Sequence, residues 1–307
     1  MLVYTLKRLA QTVFVLLGIT LFVAFTIRLS GDPAVALFQG ASGPTQEQLE
    51  QIRKELGLDR PFLVQYLDFV LGAVRGDLGT SFRSQQPVAE VIQSRFSATF
   101  WLAAASLAIS LLIAFPLGVM AASHHGKLPD LLIRVITLFG LSFPNFWLGI
   151  MLILVFGVKL RWLPPSGYEN PQSLILPSVT LGLILASTTT RLIRSSLLDV
   201  LGEQYVVTAH SKGLSGRRVL YGHALRTALI PIVTYIGLQF GALLGGVVII
   251  EQVFAWPGLG SLALNAISFR DYPTLQGTIT VLALLIAGIN LLVDLSYAFL
   301  DPRIRYV

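Results

Sequence analysis

Two serines of this chain lie in a sequence pattern that intramembrane nucleophiles use. The segments GLSG (213–216) and GASG (40–43) both match the G-x-S-G pattern of intramembrane serine proteases. Such a serine must lie at membrane depth, beside a histidine that accepts its proton. The four histidines of the chain are His124, His125, His210 and His223. Proteolysis therefore requires that the fold bring one of these histidines to one of the two serines inside the membrane.

Other reactive groups are scarce in this sequence. The chain has no cysteine, which excludes disulfides, thiolate metal sites and thiol nucleophiles. His124 and His125 are adjacent, but adjacent histidines on a short loop are usually ordinary surface residues, and we predict no metal site. Gly126 and Lys127 lack the upstream glycine and the following serine or threonine that G-x-x-x-x-G-K-[ST] requires. We therefore predict no catalytic residue and no bound cofactor.

The elements that must position these groups are hydrophobic helices. Hydrophobic residues make up 54% of the 307 and charged residues only 12%, whereas soluble domains carry about 25% charged residues. Six apolar segments each approach the ~20 residues that a membrane-spanning helix needs. They run over 9–27, 98–122, 133–157, 174–193, 228–250 and 275–299. We predict an all-α polytopic membrane protein, a single domain with six transmembrane helices.

The first apolar segment and the loops between the segments predict the orientation. Segment 9–27 exceeds the about 7–15-residue core of a signal peptide and lacks an A-x-A site, so we interpret it as an uncleaved anchor. If the amino terminus is inside, twelve basic residues fall in short inside segments and three in short outside loops. The twelve are Lys7, Arg8, Lys127, Arg134, Arg191, Arg194, Lys212, Arg217, Arg218, Arg226, Arg303 and Arg305. The positive-inside rule then predicts that both termini are cytoplasmic, that 29–96 is a periplasmic loop and that 194–227 is cytoplasmic.

That topology excludes the protease. Ser215 lies between Lys212 and Arg217 in a cytoplasmic segment, and Ser42 lies in the periplasmic loop. All four histidines fall in cytoplasmic loops, so no general base reaches a serine within the membrane.

The periplasmic loop is long enough to fold in part. We predict a helix over 44–58, with Thr45 as its N-cap and Gly57 as its stop, and a second helix over 60–76. A third helix over 87–95 continues into the second span.

The cytoplasmic segment 194–227 has the pattern of two helices joined by a tight turn. The stretch EQYVVTAHSK favours a helix that stops at Gly213, because glycine adopts left-handed dihedral angles readily. Ser215 is the predicted cap of a second helix, which runs into the fifth span. A short helix held between two spans is a surface for another protein. An ordinary basic connector with amphipathic helices has the same pattern, and the residues alone do not decide between the two.

A resemblance to a known family favours the interpretation of this segment as a surface for another protein. The segment 203–231 resembles the "EAA" loop of bacterial ABC-importer permeases, most of all the peptide, glutathione and nickel branch. The matching residues are Glu203, Tyr205, Val206, Thr208, Ala209, Lys212, Gly213, Leu214, Ser215, His223, Leu225, Arg226, Ala228 and Pro231. His210, Ser211 and Thr227 depart from the family pattern, and the match allows one extra residue, Gln204, near Glu203. Further similar stretches include GDPA (31–34), GDLGTS (76–81), SFPNFWLG (142–149), EQVFAWPGLG (251–260) and RDYP (270–273).

The resemblance implies a fold, a function and a set of partners. It implies the type I ABC importer permease fold in a bacterial inner membrane, and passage of di- or oligopeptides or glutathione-like peptides. The partners would be a homologous second permease, two ATP-binding cassette domains that hydrolyse the ATP, a periplasmic or lipid-anchored binding protein, and membrane lipid, with no nucleic acid. The implied coupling residues are Glu203, Thr208, Ala209, Lys212, Gly213, Leu214 and Ser215. Nickel or another small solute remains the alternative cargo.

Polar residues at predicted membrane depth are candidates for the transport pathway. They are Asn145, Ser187, Gln239, Asn290 and Asp294. Isolated polar residues there also serve as hydrogen bonds between helices, so both roles stay open. Asp294 needs a partner or water, and Arg191 and Arg194 are the candidates at similar depth. A channel or secondary transporter would need more intramembrane charge than this one aspartate supplies.

Two further features have open roles. Gly237, Gly241 and Gly245 form a face of small residues that suits close packing within the chain or against a second permease. Glu251 is placed either to meet an ammonium group of the solute or to stabilise the periplasmic loop, and we favour the structural role.

Overall fold

The chain folds almost entirely into helices. The computed structural model describes residues 2–29, 33–36, 45–55 and 57–300, and in these ranges the only β-type pairing is an isolated bridge between Thr80 and Pro87. The α-helices in chain order are α1 (Leu2–Leu29), α2 (Pro33–Ala36), α3 (Gln46–Glu55), α4 (Phe62–Val74), α5 (Val88–Ser123), α6 (Leu128–Ser142), α7 (Asn145–Leu152), α8 (Ile175–Leu201), α9 (Gln204–Ser211), α10 (Gly216–Val219), α11 (Leu225–Leu244), α12 (Val248–Val253), α13 (Leu259–Ser268) and α14 (Tyr272–Leu300). Turns of π-helix cover Ile153–Lys159 and Leu220–Ala224, and a 3₁₀ turn covers Pro171–Leu174.

Five helical segments of the described chain are long and apolar enough to span a membrane. They cover Thr5–Leu29, Val88–Ser123, Pro171–Leu201, Gly216–Leu244 and Tyr272–Ser296. A sixth consists of the pair Leu128–Ser142 and Asn145–Lys159, if the two bent helices count as one span.

That bent pair corrects the predicted span over 133–157. The two helices meet at an angle of 96° rather than forming one straight span. Phe143 is extended (φ −89°, ψ 132°), because the ring of Pro144 disfavours the α conformation for the preceding residue. Pro144 then becomes the N-cap residue of α7.

The fifth span also ends earlier than its predicted boundary at residue 250. Helix α11 ends at Leu244, and Gly246 follows with φ +99°. A Cβ at Gly246 would lie 3.2 Å from the Cα of Gly260, so the backbones approach closely at this point. The end of the helix is therefore set by glycine chemistry, and the six residues Val248–Val253 form the separate helix α12.

The chain divides into two compact units. The first comprises Met1–Thr99, Leu244–Val248 and Pro257–Leu291. Its core contains Val88, Ile92, Leu259 and Leu282, and a second cluster contains Ile27, Ala266, Tyr272 and Leu275.

Around α3 in the first unit, the predicted helix signals are confirmed. At α3, the Thr45 hydroxyl accepts a hydrogen bond from the N–H of Gln48, and the Gln48 side chain accepts one from the N–H of Thr45. This reciprocal pair is a capping box. The same helix ends at Glu55, and Gly57 beyond it has φ +63° and donates its N–H to the carbonyl of Lys54 at 3.1 Å.

The second unit comprises Phe100–Leu243, Ile249–Trp256 and Leu292–Val307. Its core packs α5, α8 and α11 around buried residues that include Ala114, Ile193, Leu197 and Ile232. A Cβ at Gly118 would lie 2.7 Å from the Cβ of Ile193, so α5 and α8 are in close contact there. Because α8 leads directly into α9, this packing holds the start of the segment 203–215.

Candidate functional site

Helix α9 begins and ends where the sequence pattern predicts. Glu203 occupies its N-cap position with an extended backbone (φ −73°, ψ 145°), but its side chain makes no capping hydrogen bond. The helix ends in a Schellman motif, in which the N–H of Leu214 donates to the carbonyl of Ala209 and the N–H of Gly213 donates to that of His210. The N···O distances are 3.3 and 2.9 Å. Gly213 takes the left-handed position of the motif with φ +79°, as predicted.

The chain then re-enters a helix directly. Ser215 occupies the N-cap position of α10, also without a capping side-chain bond, and its carbonyl accepts the N–H of Val219 at 3.0 Å. From Gly216 the helical path continues through the π turn into α11. The arrangement is therefore helix, tight turn and helix, as predicted for the segment 194–227.

Contacts within the second unit hold this segment in place. Val206 on α9 and Val219 on α10 are almost completely buried, at 2% and 0% exposure. The Tyr205 hydroxyl donates to the Thr227 hydroxyl at 3.2 Å, which connects α9 to α11. These contacts connect α9 to the helix of the fifth span.

The opposite face of α9 is left open to solvent. Glu203, Thr208, Lys212, Gly213 and Ser215 are exposed, and Ala209 and Leu214 are half-buried. Val207 is 60% exposed and Tyr205 is 44% exposed, which gives this face an apolar component. The sequence-based prediction did not single out Val207. The available signal was the pair Val206-Val207, because adjacent helical residues point about 100° apart and both rarely face one core.

The matched stretches GDLGTS and RDYP lie together in the first unit. Asp271 is 4% exposed and accepts hydrogen bonds from the Ser81 hydroxyl at 2.6 Å, the Phe82 N–H at 3.0 Å and the Thr274 hydroxyl at 2.8 Å. A buried carboxylate is tolerated when it is hydrogen-bonded in this way. Asp271 thus fixes the turn before α5 against the start of α14.

Comparison with known proteins agrees with this arrangement. The family described as "Binding-protein-dependent transport system inner membrane component" matches residues 114–306, and its N-terminal counterpart matches residues 1–103. The chain belongs to this family. The permease is 44% identical, over 307 residues and the full length of both chains, to the glutathione transport system permease protein GsiC of Escherichia coli strain K12 and to that of Salmonella typhimurium strain LT2.

Solved structures show the same fold. One is an inward-facing conformation of the MetNI methionine ABC transporter, with a TM-score of 0.57, 18% identity, and coverage of 69% of this permease and 96% of that chain. Another is an amino acid ABC transporter solved with histidines, with a TM-score of 0.55, 15% identity, and coverage of 68% and 94%. The permease therefore has the ABC importer permease fold and is a multi-pass inner-membrane subunit of a binding-protein-dependent importer.

The five candidate pathway residues have different environments in the permease. Asn145 is exposed at the first position of α7, directly after the bend, and Gln239, Asn290 and Asp294 are half-buried. Ser187 is 7% exposed and donates to the carbonyl of Leu183 at 3.2 Å. Its hydroxyl also fills the place that a Cβ at Gly140 would take. Ser187 therefore packs between α6 and α8, and the pathway role of all five residues stays a prediction.

The expected pairing of Asp294 with Arg191 or Arg194 is wrong. Arg194 instead binds Asp130 in a bidentate pair, at 2.6 Å from Nε to Oδ1 and 2.9 Å from Nη2 to Oδ2. Asp130 is fully buried and also accepts the N–H of Gly126 at 3.0 Å. Arg191 is exposed and has no hydrogen bond or ion pair to any described residue. Asp130 was not among the predicted functional residues, although an acidic residue in the first turn of a helix was visible in GKLPD.

The fold also indicates the roles of the small-residue face and of Glu251. A Cβ at Gly237 would overlap the side chain of Val293, so at this position the small-residue face packs within the chain. Glu251 is completely buried, and its carbonyl accepts the N–H of Trp256 at 2.7 Å. This favours the structural role for Glu251.

The surroundings of Ser215 agree with the exclusion of a protease. Ser215 is exposed in the turn between α9 and α10, and the Nδ1 of His210 is hydrogen-bonded to the carbonyl of Val206 at 3.0 Å. Ser42 lies outside the described residues.

Proposed function

We propose that the permease carries glutathione or a similar short peptide into the cell. The observation that carries this proposal is the 44% identity over the full length to permeases named for glutathione transport. The match covers the full length of both chains, so it extends over the spans as well as the segment 203–215. Nickel or another small solute is the alternative. Among the described residues, no group of three or more His, Cys, Asp or Glu side chains is placed to hold a metal ion, so the structure gives nickel no support.

We further propose that this chain works with separate subunits. The family name implies a binding protein, and the fold implies a second permease and two ATPase domains. The exposed face of α9, with Val207 at its centre, is suited to sit in a cleft of an ATPase, while buried Val206 and Val219 tie the same segment to the spans. ATP is then bound and hydrolysed by the partners, and this chain needs no cofactor of its own.

The proposed orientation places α9 on the ATPase side. Both termini and the segment 194–227 are cytoplasmic, and the segment 29–96 is periplasmic. ATP-driven closure of the ATPases would move α9, and the hydrogen bond between Tyr205 and Thr227 would pass that motion to α11.

Uptake by the complete reconstituted complex tests the proposed solute. The permease, its partner permease, the ATPases and the binding protein are placed in proteoliposomes, and uptake of labelled glutathione, a neutral dipeptide and Ni²⁺ is compared. We expect ATP-dependent uptake of glutathione, and none when a non-hydrolysable nucleotide replaces ATP. Uptake of Ni²⁺ without uptake of either peptide would overturn the peptide assignment.

A further inference from the structure

A basic cavity lies in the second unit, near the end of α8 that leads into α9. It has a volume of about 510 Å³ and is bounded by α6, α8 and α11. Three of its lining residues are arginines, and three carry hydroxyl groups. The lining consists of Arg134, Thr188, Arg191, Leu192, Arg194, Ser195 and Tyr235.

The cavity has an excess of positive charge. Asp130, behind the lining, is the one carboxylate bound to these arginines within the described chain, at 2.6 Å from Arg194 and 3.5 Å from Arg134. Asp130 is fully buried, so it neutralises one positive charge without facing the cavity. The lining has three guanidinium groups, so a net charge equivalent to two positive charges remains. Arg191 has no ion-pair partner among the described residues.

The polar groups share one face of α8. Thr188, Arg191 and Ser195 are three and four residues apart, which aligns them on a helix. The Tyr235 hydroxyl on α11 donates to the Thr188 hydroxyl at 2.9 Å and closes one side of the cavity. In a spanning helix, an arginine without a protein partner faces a water-filled space, and such residues mark the routes of charged solutes.

We propose that this cavity binds a carboxylate of the transported solute on its way to the cytoplasm, with Arg191 as the principal ligand. The proposal rests on the proposed function, because it requires an anionic peptide as cargo. Glutathione has two carboxylates and one ammonium group at neutral pH, so its net charge complements the cavity. A guanidinium donates two parallel N–H bonds to a carboxylate, a geometry that an ammonium group does not reproduce.

Protection of a single cysteine measures binding in the cavity directly. The natural chain has no cysteine, so Ser195→Cys, whose parent serine is exposed in the lining, gives this subunit one reactive thiol. The complete complex is labelled with a maleimide in the presence of increasing S-methylglutathione, which keeps both carboxylates but has no free thiol. We expect S-methylglutathione to slow the labelling of this subunit.

The arginine variant and its controls give the test its specificity. In Ser195→Cys combined with Arg191→Gln, we expect protection to require about tenfold more S-methylglutathione, the loss expected for one charge-assisted interaction. Arg191→Lys keeps the charge and should fall between. Arg95→Gln removes an exposed arginine from α5, outside the cavity, and should leave protection unchanged. Equal protection with and without Arg191 would overturn the proposal.

Two further comparisons separate the alternatives. The labelling is repeated in vesicles of phosphatidylcholine alone and in vesicles that also contain phosphatidylglycerol. If phosphatidylglycerol slows the labelling and S-methylglutathione does not slow it further, the cavity binds a lipid headgroup. That result would overturn the proposal. Glutathione uptake is measured in the same preparation. Uptake without protection contradicts the cavity site alone, whereas failure of the wild-type complex to take up glutathione contradicts the proposed solute.

Discussion

At the scale of single residues, buried or membrane-depth charge is the most informative feature of this permease. Asp130 and Asp271 are buried carboxylates whose hydrogen bonds join stretches far apart in sequence, 64 residues in one case and 190 in the other. Neither pairing was predictable from one sequence, because residue type and spacing report local geometry and not which distant segment folds back. The prediction for Asp294 failed for the same reason: similar depth was a poor guide to the partner of Arg194.

Asp294 should nevertheless matter to the protein, since an acidic residue in an apolar span is retained at an energetic cost. Insertion of an aspartate at the centre of a span costs about 2.5–3.5 kcal/mol, so an aspartate without a role is unfavourable. We predict that Asp294→Leu lowers the amount of assembled complex or the uptake rate severalfold, and that Asp294→Asn, which keeps hydrogen bonding, is milder. Membrane abundance and uptake are measured for both variants. Wild-type values for Asp294→Leu would show that the carboxylate has no role.

At the scale of secondary-structure elements, local chemistry decided which predictions succeeded. The N-cap at Thr45 and the stops at Gly57 and Gly213 were predicted because an N-cap depends on a few neighbouring residues and a helix stop on the dihedral preferences of glycine. The break in the third span depends on Pro144, which was visible in SFPNFWLG, but the hydropathy of the whole stretch 133–157 concealed it. Apolar content thus located the spans more reliably than it located their ends and bends.

Helix α9 is the element that we propose to couple the permease to an ATPase, and its exposed face should then be sensitive to charge. We predict that Val207→Asp leaves the permease in the membrane, because the side chain is 60% exposed, but lowers co-purification of the ATPase and uptake by about tenfold, since an apolar contact is replaced by a desolvated charge. Arg217→Gln, at an exposed position beyond the turn, is the control and should be nearly neutral. Full ATPase retention in Val207→Asp would show that α9 does not dock through this face.

At the scale of the whole molecule, the family and the fold agree with the sequence-based assignment of the class. The class was predictable because the matched stretches are spread along the whole chain. The identity of the peptide was not, because the polar residues of the spans are few and widely separated.

The orientation of the whole chain is testable with single cysteines. We predict that Ser84→Cys is labelled from the periplasmic side and Ser211→Cys from the cytoplasmic side, since the basic residues of the short loops are concentrated inside. Both parent serines are exposed, and serine and cysteine have similar size. A membrane-impermeant maleimide applied to intact cells should label only the first variant. Labelling of both from one side would contradict the topology and, with it, the placement of α9.

The central claim is that the turn after α9 transmits ATP-driven motion to the spans, and Gly213 is where it can be tested most directly. Its φ of +79° strains a β-branched residue by about 1–3 kcal/mol, whereas asparagine tolerates this conformation. Apart from the adjacent residues and, at Gly216, the backbone of its own helix, no atom of the described chain lies within 4 Å of a Cβ at Gly213 or at Gly216. Gly216→Ala is therefore the matched control.

The deciding measurement is substrate-stimulated ATP hydrolysis together with uptake, in proteoliposomes that contain the complete complex. For Gly213→Val we predict normal membrane abundance and unchanged ligand affinity of the binding protein, with both stimulated hydrolysis and uptake lowered by about tenfold or more. Gly216→Ala should retain wild-type values, and Gly213→Asn should retain activity unless the ATPase contacts the turn itself. Normal uptake and normal stimulated hydrolysis in Gly213→Val would mean that the segment is only a basic connector, and would contradict the coupling mechanism.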